Sequence, residues 1–150
     1  MTQEEKNLLT KDLCARLPYG VIVDNPNPVG GMWDEVINID TSTKTVILLY
    51  DGRVFSIDDV KPYLRPMSSM TEEERKELKN TTCPNGTGYV NEKHLVCPVN
   101  HFGEQISFDF MADIVDWLVS HHFDFRGLIE KGLALEALDG MYEEATEGKQ

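Results

Sequence analysis

Positive charge is scarce in this sequence: 14 Lys and Arg stand against 26 Asp and Glu in 150 residues, a formal charge of -12 with the histidines neutral. Such a chain is repelled by phosphate backbones and anionic lipid surfaces, which disfavours direct nucleic-acid and membrane-surface binding. Cysteine is nearly absent. The three present, Cys14, Cys83 and Cys97, form an odd set that suits free thiols in a reducing compartment better than a disulfide framework, so a cytoplasmic setting is expected. No apolar run reaches membrane-spanning length. The start, MTQEEKNLLTKDLCARL, is polar and acidic where a secretory signal would place a basic patch and then a continuous apolar stretch. There is no Gly-x-Ser-x-Gly elbow, and Gly30-Gly31 precedes a strand pattern with no Lys-Ser or Lys-Thr behind it. Serine-hydrolase, P-loop and dinucleotide chemistries are therefore disfavoured.

What the sequence does contain is enough apolar matter to fold. Hydrophobic residues make up 41% beside 27% charged, too apolar for a disordered chain. A chain of this length buries roughly two-thirds of its unfolded surface and needs no covalent staple.

Leu8, Leu9, Leu13 and Leu17 paint one face of a helix over residues 3–17, with Thr10 and Lys11 on its polar side and Cys14 buried as an inert thiol; Pro18 ends it. Four β-rich stretches follow, Tyr19 to Asp24, Trp33 to Asp40, Thr45 to Tyr50 and Arg53 to Ile57. Asp51-Gly52 reads as a two-residue hairpin link between the last two, and the Pro- and Gly-rich stretch 24–31 as a long surface loop. Ser69 with Glu72, or Thr71 with Glu74, has capping-box spacing and starts a short, surface-lying connector helix. Glu104 to Phe110 alternates as a half-buried strand, and Met111, Ile114, Val115, Trp117 and Leu118 then continue at helical spacing. His121 and His122 cap that helix end, and a short turn led by Asp124 ends at Gly132.

The fold class predicted is α+β: a small antiparallel SH3-like β-barrel or meander (about 19–64), a connector helix, and a mixed strand-helix C-terminal unit. Two regions follow, 1–67 and 68–150, as separate domains or around one shared core.

Three groups of residues could carry function. Cys83, His94, Cys97 and His101 supply two thiols and two imidazoles of the kind zinc accepts, but without the close Cys pair of finger modules, so no cofactor is expected beyond a possible zinc. Asp109, Asp113, Asp116, His121, His122 and Asp124 could gather carboxylates for a metal-dependent hydrolase, or form a solvated acidic face opposite the apolar stripe. Tyr19, Trp33, Tyr50 and Tyr63, with Phe55 beside them, could line a groove for an extended peptide or fill the core, while Asp124 and Arg126 form a turn that could join the binding surface. None of these is an organised catalytic set.

Two stretches, Val60 to Glu74 (VKPYLRPMSSMTEEE) and Asp116 to Tyr142 (DWLVSHHFDFRGLIEKGLALEALDGMY), resemble an uncharacterised family of small acidic proteins from gut Bacteroidales and their prophages or mobile elements. The resemblance implies a context, bacterial or phage, cytosolic and accessory to something larger, and no activity. The expected function is a non-enzymatic protein-interaction or accessory module with a protein partner. The alternatives are an acidic mimic of nucleic acid that inhibits a DNA-binding protein, and a small metal-dependent hydrolase.

Overall fold

The computed structural model describes residues 1–27, 31–82 and 108–142. The chain divides into two compact units, Met1–Leu64 with Gly127–Gln150, and Arg65–Arg126. Where the sequence suggests one division after residue 67, the chain leaves the first unit at Leu64 and re-enters it at Gly127.

The first unit opens with helix α1, Gln3–Arg16. Its start is set by reciprocal bonds: the Glu5 N–H donates to the Thr2 hydroxyl (3.1 Å) and the Thr2 N–H to the Glu5 carboxylate (2.7 Å). Leu9 and Leu13 are fully buried, as the spacing predicts. Two expectations are corrected. Thr10 is buried, its hydroxyl donating to the Lys6 carbonyl at 2.6 Å, and Cys14 is exposed. The buried face is completed by Asp12 and Arg16, which turns Cys14 outward. Arg16 Nε and Nη2 donate to the two Asp12 carboxylate oxygens at 2.6 and 3.2 Å, with both side chains wholly buried. Only such a paired, hydrogen-bonded geometry makes two buried charges tolerable.

Strands β1 (Val21–Asp24), β2 (Trp33–Asp40), β3 (Thr45–Leu48) and β4 (Val54–Ser56) form an antiparallel meander in the order β1-β2-β3-β4. The sheet is not closed on itself; it is the open meander of the two predicted forms. The predicted hairpin exists, pairing Val46 with Phe55, but its link spans residues 49–53 instead of the two expected. Asp34 is the cause: its buried carboxylate accepts the N–H groups of Tyr50 and Asp51, both at 3.0 Å, so these residues leave the ladder. Gly52 completes the turn at φ +72°, a conformation natural to glycine, with its N–H on the Leu48 carbonyl (2.9 Å). Between Val36 and Asn38 the register shifts, which leaves Ile37 as the extra residue of a β-bulge.

The inner face of the sheet, Val21, Val23, Val36, Val46 and Leu48, packs with Leu9 and Leu13 of α1 and with Ile57, Val60 and Leu64. Burying each such side chain contributes about 1.5–3 kcal/mol. The returning segment adds Leu128, Leu133 and Ala134 to this core. There a single turn ends at Gly132 (φ +71°), as predicted, with the Leu133 N–H reaching back to the Leu128 carbonyl (2.9 Å). Strand β5 (Tyr63–Leu64) then pairs in parallel with β6 (Leu135–Glu136).

The second unit holds helices α2 (Glu72–Thr82) and α3 (Phe108–Ser120). Of the two spacings offered for the start of α2, Thr71 with Glu74 forms the capping box. Leu78 anchors this mostly exposed helix in a cluster with Met70, Ile114, Trp117, Leu118 and Phe123. The predicted strand is overturned where it is described: Phe108 to Phe110 form the first turn of α3. The apolar spacing that begins at Met111 extends backward through them, since adding a residue to an existing helix costs far less than starting one. At the other end His122 takes a left-handed conformation (φ +64°), and the Phe123 N–H bonds the Leu118 carbonyl (3.0 Å) while the His122 N–H bonds that of Val119 (3.0 Å). This is the helix stop usually built on glycine, closed by the apolar pair Leu118 and Phe123. Arg65 donates to both Glu74 carboxylate oxygens (2.7 and 2.9 Å) and lies 4.2 Å over the Phe123 ring. Burial is the largest influence on the Glu74 pKa and raises it, but the Arg65 bonds, the Thr71 N–H and the neighbouring positive charge together outweigh it and hold the carboxyl below its usual range. Among the described residues no helix is long and apolar enough to cross a membrane.

Candidate functional site

Alternation along the strands sends Asp34 and Val36 inward, and Ile22, Glu35, Ile47 and Val54 to the outer face of the sheet. At β1 this outer face is covered. Ile22 packs with Tyr63, Met141 and Tyr142, which makes β1 buried on both sides. The covering is also polar: the Tyr142 hydroxyl accepts the Ile22 N–H (3.3 Å) and donates to the Tyr63 carbonyl. Burial pushes the Tyr142 pKa far above the ordinary tyrosine range, and burial with the nearby Asp24 charge raises that of Tyr63. The next outward N–H of β1, from Asp24, is taken by the Lys61 carbonyl (2.9 Å).

Toward β4 no such covering is found among the described residues. Six of the nine large hydrophobic side chains exposed among the described residues fall between residues 32 and 54: Met32, Trp33, Ile37, Leu49, Tyr50 and Val54. Tyr50 is 76% exposed and Val54 62%. The register places Val54 opposite half-buried Ile47, and the bulge residue Ile37 lies next to Asn38, which pairs with Ile47. Trp33 starts β2, and Leu49 donates its N–H to the Glu35 carbonyl (2.8 Å). This apolar end of the sheet has a stiff frame. Asp34 accepts a third N–H, from Glu35 at 2.7 Å, and Asn27 Nδ2 donates to Asp51 at 2.7 Å, tying Asn27 to the 49–53 turn. The β2–β3 turn is fixed by Asp40, whose carboxylate accepts from the Ser42 hydroxyl and the Thr43 and Ser42 N–H groups. Those bonds, the hydroxyl first, lower its pKa to about 2.

The backbone phase of β4 follows from one bond, Ile57 N–H to the Lys44 carbonyl at 2.9 Å. In an antiparallel ladder hydrogen-bonded pairs alternate, so Phe55 exchanges bonds with Val46 while Val54 and Ser56 turn their N–H and C=O groups away from β3. β4 is the last strand of the sheet among the described residues, so those groups line an edge with no described strand beside it.

Of the aromatic residues singled out in the sequence, Trp33 and Tyr50 fall at this end of the sheet. Tyr19 is 40% exposed in the short turn after α1, Phe55 packs against the core, and Tyr63 is buried beneath Tyr142. Asp124 and Arg126 belong to the second unit, where Asp124 is buried and donates its N–H to the Arg65 carbonyl (2.8 Å), and Arg126 lies 4.6 Å over Phe125. Cys83, His94, Cys97 and His101 lie outside the described residues. Asp113 and Asp116 are exposed on α3, His121 stacks on Trp117 with ring centres 3.9 Å apart, and its Nδ1 lies 2.9 Å from the Trp117 carbonyl at the helix end. Among the described residues no group of three or more His, Cys, Asp or Glu stands close enough to hold a metal.

No family model, curated protein or solved structure matches the chain. Sequence reasoning missed Ile37, Leu49 and Val54 as surface residues. Val36-Ile37 does break the alternation of β2, and that is the one local sign of a bulge.

Proposed function

We propose that the first unit is a non-enzymatic protein-interaction module, accessory to a larger bacterial or phage system as the family resemblance implies. The observation that carries it is the exposure of Trp33, Ile37, Leu49, Tyr50 and Val54 at one end of a sheet whose outer face is covered at β1. Exposed apolar groups collected on a stiff frame, with aromatic anchors among them, are what a protein partner covers. The role is the one expected of an SH3-like module, carried by an open meander. The formal charge of -12 selects partners that bring Lys and Arg around their apolar contacts. A nucleic-acid mimic draws less support, because the acids of α2 are interrupted by Arg75 and Lys76 and one of them, Glu74, is spent on Arg65.

The test is selection of a phage-displayed library of random dodecapeptides on the immobilised full chain. Enriched peptides should carry apolar anchors with Lys or Arg, and should bind the Trp33→Ser and Tyr50→Ser variants about tenfold more weakly, the loss typical of a truncated anchor. Circular dichroism confirms that both variants are folded. No enrichment over bare support, or peptides indifferent to both substitutions, would overturn the proposal.

A further inference from the structure

The outer apolar face and the open edge of β4 meet at Val54, whose side chain is exposed on the one and whose N–H and C=O face the other. We infer that this corner receives an extended, basic segment of a partner protein as a fifth strand beside β4. The inference rests on the interaction-module reading and deepens it.

Three observations converge. First, the edges differ in their hydrogen bonding. On β1 the outward N–H groups of Ile22 and Asp24 are taken by Tyr142 and Lys61, whereas on β4 the groups of Val54 and Ser56 face outward with no strand beside them among the described residues. An unpaired edge is a template for main-chain pairing, and pockets for alternate side chains beside it supply selectivity. Second, a strand laid along β4 would place every second side chain on the outer face, against Val54 and, beyond it, Ile47 and Ile37.

Third, the charges choose the occupant. Asp58 and Asp59 are exposed directly after β4; Lys6 bonds Asp58 at 2.7 Å, and Asp59 has no ion-pair partner among the described residues. A second copy of the chain is disfavoured by two like charges of -12, by the brevity of β4, and by exposed Arg53 at its start, all devices that discourage edge-to-edge self-pairing. A segment of alternating apolar residues with Lys or Arg meeting Asp59 satisfies both the edge and the charge.

Proline at position 56 is the decisive probe. Ser56 sits at φ -66°, the value a proline ring imposes, and its N–H faces the open edge, so Ser56→Pro deletes an edge donor while leaving the β3–β4 bonds in place. Ser56→Ala controls for the lost hydroxyl bond to the Asp58 N–H. With the best dodecapeptide from the selection as the probe, Ser56→Pro should bind about tenfold more weakly than Ser56→Ala, the cost of a main-chain donor left unmade. N-methylation along the peptide should abolish binding at every second residue and spare the residues between, and replacing its Lys and Arg by Glu should abolish it throughout. If Ser56→Pro fails to fold, the N-methyl scan against the unaltered protein decides alone. Binding indifferent to proline and N-methylation yet lost in Val54→Lys and Trp33→Ser overturns strand addition and leaves the interaction module standing. Binding indifferent to all four overturns both.

Discussion

The two edges of the sheet have the same strand chemistry and opposite fates. β1 is finished on every side: Val21 and Val23 lie in the main core, Ile22 lies under Tyr142, and its outward N–H groups are bonded. Among the described residues, β4 is finished on one side only. The difference is not in strand propensity, since Val21-Ile22-Val23 and Val54-Phe55-Ser56 both favour extended backbone. It comes from what arrives from elsewhere in the chain. Covering an edge takes a remote segment, and the segment 127–142 goes to β1.

Substitutions can break or sharpen this contrast. The largest effect is expected from Tyr142→Ala, which uncovers Ile22 and strands two main-chain groups; unfolding in urea should show a loss of about 3–5 kcal/mol, the range for removing a large buried aromatic. Tyr142→Phe keeps the packing and removes only the hydroxyl. It should cost about 1–3 kcal/mol, because the Tyr63 carbonyl loses its donor and the Ile22 N–H its acceptor while buried.

The same hydroxyl predicts a pH dependence. Its folded pKa is raised above the unfolded value of about 10, so the stability it contributes is complete below that pH and is lost as the pH climbs through the folded value. Urea midpoints measured from pH 8 to 11 should fall more steeply for the unaltered protein than for Tyr142→Phe. Equal slopes would remove Tyr142 from the account of the closed edge.

At the open edge the effects on stability should be small. Val54→Lys against the unaltered protein, and Ser56→Pro against Ser56→Ala, should each shift the unfolding free energy by about 0.5 kcal/mol or less, as exposed positions do. A loss several times larger would mean that β4 is bonded on both sides.

Much of this architecture was legible in the sequence, because period and turn chemistry are local. The helix from Gln3, the strand Trp33–Asp40 and the stop at Gly132 could each be read within a few residues of themselves, as could a capping box at either Ser69 or Thr71. The 49–53 turn could not, since the carboxylate that shapes it belongs to Asp34 on another strand. Phe108 to Phe110 alternate like a strand and were claimed by the helix that follows. Trp33 and Tyr50 could be marked only together with Tyr19, Phe55 and Tyr63, as large aromatics in or beside the strands, since sequence does not tell which of them the core takes. Ile37, Leu49 and Val54 could not, because alternation tells which residues share a face but not whether something lies on top of it.

The bond between Ile22 and Tyr142 joins residues separated by 120 positions. Loops of that span close late, because chain entropy opposes them until the intervening parts have condensed. Before that moment the sheet has two bare margins, and a molecule poised to zip onto one could equally seize the other. Late closure of that bond is a testable consequence: pulse-labelled hydrogen exchange should find the Ile22 amide among the last in its unit to gain protection.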